Sequence, residues 1–140
     1  MNQPQRPATG VEPFMVWSGG FSDAELDRII AHGDSLGHNT ATIKGRQDED
    51  AQSDIRVTRI AWIEPKQEML WLYDKMASIT KSINEQSYLF DLSALELMQY
   101  TVYTVGEGGH YDWHVDQGAT ERRRKLSLVL QLSPPSDYEG

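Results

Sequence analysis

The chain contains no cysteine. That excludes a disulfide-stapled scaffold, a thiolate metal site and a cysteine nucleophile, and it suits a reducing, cytoplasmic setting. No apolar run approaches the ~20 residues that a membrane-spanning helix needs. Residues 1–10 lack the apolar core of a signal peptide. Positive charge is scarce as well: 13 Lys and Arg against 21 Asp and Glu leave a net charge of −8. Nucleic acids and anionic membranes are bound mainly through cationic surface, so this balance argues against both as general partners. What remains is ordinary for a globular protein, with 39% hydrophobic and 24% charged residues in a chain of 140. That length holds one core rather than two.

Residues 1–13 are polar and carry Pro4, Pro7, Gly10 and Pro13, which reads as a flexible arm before a single domain over 14–140. Phe14, Met15, Val16 and Trp17 predict a short strand. Ser22 and Glu25 have the spacing of a capping box, and Leu26, Ile29 and Ile30 form the apolar stripe of the helix that follows. Gly37 ends that segment. Residues 38–54 are nearly devoid of apolar side chains and read as a loop. Their acidic cluster lacks calcium-loop spacing, so solvation explains it better than cation binding. Residues 55–63 read as a strand. Pro65 suits the first position of a second helix, whose stripe is Met69, Leu72, Met76, Ile79 and Ile83, running to about Gln86.

From residue 88 the period becomes two. Leu95, Leu97, Gln99, Thr101 and Tyr103 share one face of a strand over 95–103. A strand over 125–133 puts Leu126, Leu128, Leu130 and Leu132 on a face to be buried, with Ser127, Val129 and Gln131 opposite as a pocket wall. Trp17, Trp62 and Trp71 read as core, and Trp113 as a packing residue. Two helices before strands predict helices on one side of an antiparallel sheet or barrel.

Between those strands stands the only chemistry-bearing constellation. His114 and Asp116 are two residues apart, so on a strand both point to one face. An imidazole and a carboxylate so placed are two-thirds of the facial triad that holds non-haem Fe(II). The pair follows the glycine-rich turn Gly106, Gly108, Gly109 and is flanked by Tyr111 and Trp113. His110 precedes His114 by four, but the glutamate of a His-Glu-x-x-His zinc site is absent and the period is that of a strand. His32 falls on the first helix and His38 opens the loop. Arg122, Arg123, Arg124 and Lys125 form the one basic cluster, read as a solvated loop edge rather than a ligand contact.

Residues 99–140 resemble the Fe(II)/2-oxoglutarate-dependent dioxygenases, in particular the prolyl 4-hydroxylase-like group. The likeness lies in an ordered series: a strand ending in Tyr103, the glycine turn, Tyr111, His114 with Asp116, the apolar strand 126–132, Pro134 and Pro135, and the closing Tyr138, Glu139 and Gly140. The resemblance implies an α+β, mainly β fold: a double-stranded β-helix (jelly roll) with two N-terminal packing helices. It implies His114 and Asp116 as ligands of Fe(II), Tyr103 and, more weakly, Gln131 as 2-oxoglutarate neighbours, and O2 as the oxidant with ascorbate as an accessory. The expected activity is hydroxylation of a C–H bond in a peptide, protein or small molecule, a prolyl residue being the first guess.

The family also uses a second histidine and a basic residue downstream, and neither occurs before Gly140. The expectation is therefore the N-terminal portion of the domain, lacking its C-terminal strands and inactive alone. Its open strand edge predicts a poorly soluble or homodimeric chain. The alternative is a non-catalytic β-domain or inactive fragment that binds a metal or a protein partner.

Overall fold

The computed structural model describes residues 13–40, 56–114, 116 and 123–139. Among them the chain is mixed α+β, with two α-helices and two small antiparallel sheets. Helix α1 spans Asp23–Ser35. Ser22 caps it with its side chain while Glu25 returns a carboxylate to the Ser22 backbone, so the expected capping box is present. Lys75 completes this corner, with Nζ 2.6 Å from Glu25 Oε1. The Lys75 contact and the Ser22 hydrogen bonds hold the Glu25 carboxyl down at about 2. At the other end the His38 ring contacts the Gly33 carbonyl at 2.8 Å, taking up an end-of-helix acceptor.

The larger sheet has the order β1–β3–β4, with β1 at Asn39–Thr40, β3 at Arg59–Ile63 and β4 at Met98–Val102. Ala61 faces Tyr100 and Ile63 faces Met98 across the β3–β4 ladder. One face of this sheet is apolar: Ala61, Ile63 and Tyr100 pack with Ile29 of α1 and with Met69 and Leu72 at the start of α2, Leu70–Ile83. Both helices therefore lie on one side of the sheet, as the order of elements predicted. Met69 and Leu72 are 1% and 2% exposed, so they anchor the centre of that layer. Burial and the Asp34 side chain push the Tyr100 phenol up to about 12.

Several elements differ from the sequence expectation, each for a tertiary reason. Residues 14–17 form no strand: Phe14 and Val16 are 73% and 77% exposed, with no ladder partner among the described residues. The second helix starts at Leu70, because Pro65 opens a turn in which Lys66 N–H donates to the Glu64 carbonyl and Met69 N–H to the Lys66 carbonyl. The α-helix ends at Ile83 and widens into a π-turn over Asn84–Tyr88, closed by the Asn84 side chain bonding both the N–H and the carbonyl of Phe90. The strand read over 55–63 is split at Thr58. Its first part, β2 (Arg56–Val57), leaves the larger sheet and pairs with β5 (His110–Tyr111) in a second sheet. Ile55 lies outside the described residues, as do 41–54 with the acidic cluster.

Residues 124–132 join no ladder among the described residues. Leu130 and Leu132 pack against the core, while Leu126 and Leu128 line a 520 Å³ cavity shared with Met76, Ile79, Ile83 and Phe90. Trp62 is 50% exposed and Trp17 46%, so neither is core. No helix among the described residues is long and apolar enough to cross a membrane.

Candidate metal and ligand site

The strand β4 ends at Val102, and Tyr103 leads into a tight turn. The Thr104 carbonyl accepts from both Glu107 N–H and Gly109 N–H, at 3.0 and 2.9 Å. Gly108 takes a left-handed φ of 66° at the end of this turn, which favours glycine. Gly109 is required for a different reason: a Cβ there would meet Thr104 N at 2.5 Å and the Tyr103 backbone at 2.9 Å. The close approach folds the chain back on itself so that His110 and Tyr111 pair with Val57 and Arg56. Arg59 clamps the turn from β3 by an ion pair to Glu107, its Nε 3.1 Å from Oε2.

Past this turn His114 Nε2 stands 3.1 Å from Asp116 Oδ1. The other ring nitrogen, Nδ1, lies 2.8 Å from the Asp112 carbonyl oxygen. Both contacts of the imidazole are thus to acceptors. A carbonyl can only accept, which puts the proton on Nδ1 and points the Nε2 lone pair at the carboxylate. That contact becomes attractive when a cation, a proton or a metal, sits on Nε2. Two donors at metal-ligand bond lengths of about 2.1 Å in neighbouring coordination positions stand about 3 Å apart, the spacing seen here. The separation is that of two adjacent positions around one metal ion, and the imidazole must turn off the carboxylate before both donors can face it. The carbonyl on Nδ1 is the usual outer partner of a metal-bound histidine, fixing tautomer and ring direction.

Neighbouring groups hold the pair. The Tyr111 ring stacks on the His114 imidazole with centroids 3.6 Å apart and planes 11° from parallel. Ser127 Oγ donates to Asp116 Oδ2, leaving Oδ1 directed at the histidine. Arg124 Nη1 donates to the Asp116 carbonyl at 3.2 Å, and its Nε reaches Glu96 at 3.0 Å. So Arg124 of the basic cluster is a structural strut; Arg122 lies outside the described residues. Trp113 is 99% exposed and does not pack. Among the described residues no group of three or more His, Cys, Asp or Glu side chains gathers around one point.

Tyr103 is half-exposed beyond the end of β4, and desolvation pushes its phenol pKa up against the opposing influence of Arg56. Gln131 lies in a 330 Å³ groove with Asp23, Leu26, Asp27 and Ile30 of α1. No contact among the described residues connects it to Tyr103, His114 or Asp116. Of the face expected as a pocket wall, Ser127 alone reaches the pair. Val129 is 86% exposed.

The sequence reading missed Arg56, which the split at Thr58 brings over the Tyr111 ring at 4.5 Å. Its alternation with Val57 marked only a face, because its partner is distant in sequence. The role of the Asp112 carbonyl had no sequence signal, since any residue supplies a carbonyl. No family model, curated protein or solved structure matches this chain.

Proposed function

We propose that this chain carries the metal-binding part of an Fe(II)- and 2-oxoglutarate-dependent dioxygenase of the double-stranded β-helix type. The reading is supported by one observation above all: His114 Nε2 and Asp116 Oδ1 converge at 3.1 Å while a backbone carbonyl anchors the other ring nitrogen. Fe(II) held there supplies coupled chemistry in which 2-oxoglutarate, O2 and a C–H bond become succinate, CO2 and an alcohol.

The chain's own residues do the positioning. Asp112 and Tyr111 hold the His114 imidazole, and Ser127 engages one carboxylate oxygen of Asp116, so the other is the one that would hold the metal. Tyr103 is the candidate hydroxyl donor to the co-substrate, its phenol pKa pushed up by desolvation. Gln131, seated against α1, is left out of this group. The substrate to try first is a prolyl residue in a peptide.

The test is an anaerobic titration of the 140-residue chain with Fe(II), paired with a succinate-release assay in the presence of ascorbate. Loss of an outer partner typically weakens a metal site 10–100-fold, so Asp116→Ala should cost more than about a hundredfold in affinity. Succinate release that depends on His114 supports the enzyme. Metal binding without succinate release is the result expected of this portion of the domain alone; the alternative, a non-catalytic β-domain that holds a metal or a partner, is favoured if 2-oxoglutarate leaves the Fe(II) affinity unchanged. Unchanged Fe(II) affinity in Asp116→Ala overturns both metal readings.

A further inference from the structure

Five described cations are paired with a carboxylate: Arg59 with Glu107, Lys66 with Glu64, Lys75 with Glu25, Lys81 with Glu85 and Arg124 with Glu96, whereas the guanidinium of Arg28 bonds the Glu68 carbonyl and lies over the Trp71 ring. Arg56 has no carboxylate among the described residues, although the chain carries 21 acidic side chains against 13 basic ones. A guanidinium offers five N–H donors. Arg56 gives one hydrogen bond, from Nη2 to Gln99 Oε1 at 2.8 Å. Its Nε is buried without a partner.

The location is specific. Arg56 is fixed in β2 opposite Tyr111, its guanidinium lies over that ring, and the same ring stacks on His114. The side chain is partly buried, so its charge is screened less than that of a surface arginine. A planar fork with spare donors matches one carboxylate. The net charge of −8, with Asp116 beyond Tyr111, disfavours a multiply charged phosphate at the same place.

We infer that Arg56 is a ligand-binding residue that receives a carboxylate across the Tyr111 ring from His114. The inference rests on the proposed function for whose carboxylate it is, that of 2-oxoglutarate or that of an acidic side chain in the substrate. In either case Arg56 is a specificity-determining contact: it admits an anionic group where Tyr111 and His114 present only ring faces.

The experiment uses the 140-residue chain, metal-free and Mn(II)-loaded. Each form is titrated calorimetrically with 2-oxoglutarate, with a short glutamyl peptide, and with glutaramide as a neutral control. Loss of a hydrogen bond to a charged group lowers affinity on the order of ten- to a hundredfold. Arg56→Gln should show that loss for one of the two carboxylates, Arg56→Lys a smaller one, and glutaramide no difference between variants. Which probe responds identifies the source. Should Arg56→Gln fail to fold, the Arg56 Nε–H resonance of the wild type serves instead, and it should shift on adding the responding probe. The inference is overturned if Arg56→Gln binds both carboxylates as tightly as wild type, if wild type binds neither, or if that resonance stays put. Mn(II) affinity is read separately through Asp116→Ala. Intact metal binding without any Arg56 effect sinks the inference alone, and Arg56-dependent carboxylate binding without metal binding sinks only the dioxygenase reading.

Discussion

Replacing Gly33 by alanine pits two effects of known size against each other. Gly33 is buried in the last turns of α1, and a Cβ there would lie 2.5 Å from Cδ2 and 2.6 Å from Cε2 and Cγ of Tyr100. Carbon atoms pack at about 3.5–4.0 Å, so the methyl group overlaps the ring by about 1 Å. In an exposed helix the same change stabilises by about 1 kcal/mol through backbone entropy. Here the ring cannot yield easily. Its hydroxyl donates to Asp34 Oδ1 at 2.9 Å, its strand is paired to Ala61, and only 8% of it is exposed. A Cβ has no rotamer through which to escape, which puts the overpacking near the upper part of its usual range, about 3 kcal/mol. The net expectation is a loss of about 2 kcal/mol, read by urea unfolding as a midpoint lowered by about 1 M with unchanged slope. The reasoning also fixes the partner. In a Tyr100→Leu background the penalty should disappear and the helix-propensity gain emerge. A Gly33→Ala protein as stable as wild type, or a penalty that survives loss of the ring, refutes the argument.

Thr58→Val keeps the shape of a residue only 4% exposed but removes the hydroxyl that donates to the Val102 carbonyl at 2.8 Å. Stranding that acceptor should cost ~1–3 kcal/mol in urea unfolding. Gly109→Ala should push Tyr103 and Thr104 away from His110, since the clash is with backbone. The expected readout is weaker metal binding, with larger effect on the site than on the helical circular dichroism signal. The Glu25 carboxyl is depressed from 4.5 to about 2, first by Lys75 and then by Ser22. Because the folded value is the lower one, its contribution is present above the unfolded value and lost as pH falls through about 2. Acid unfolding of Glu25→Gln should lack that component, and an identical acid limb in both proteins contradicts it.

How much of this could be read from the chain depends on how local the cause is. Helix α1 was legible because Ser22 and Glu25 satisfy each other within one turn. The stripe of α2 was legible too, but its start was not. Pro65 can open a helix or a turn, and the choice follows from β3, whose last carbonyl, at Ile63, accepts from the Tyr73 hydroxyl at 2.6 Å while that hydroxyl oxygen in turn accepts from Met98 N–H at 3.0 Å. That stitch ties α2 to both central strands and sets where it begins. Trp62 was misplaced by weighing residue type over parity. Ala61 and Ile63 point inward, so the residue between them points out. Phe14 to Trp17 had strand-like composition but no partner, and a strand is a property of a pair. At the site, spacing alone brought His114 and Asp116 together, whereas Arg56, Gln99 and Ser127 arrive through the fold.

The geometry also couples the site to one of the short ladders among the described residues. β3 and β4 share a ladder over five residues each, and their apolar face is sealed by both helices. β2 and β5 share a ladder over two residues each. A two-residue ladder has little stability of its own. What fastens it here is largely the site itself: the Arg56 guanidinium on Tyr111, Tyr111 on His114, and the Arg56 bond to Gln99 on the larger sheet. The same side chains therefore hold β5 in place and present the groups proposed to bind. Thr58, buried at the point where the chain changes sheets, ties the residue after β2 to β4 through its hydrogen bond to the Val102 carbonyl. A metal on His114 or a carboxylate on Arg56 would add to these fastenings, so binding and the ordering of β2 with β5 are one equilibrium seen from two ends. Local opening of this edge is then the step that ligand opposes, and the β3–β4 core remains folded through it.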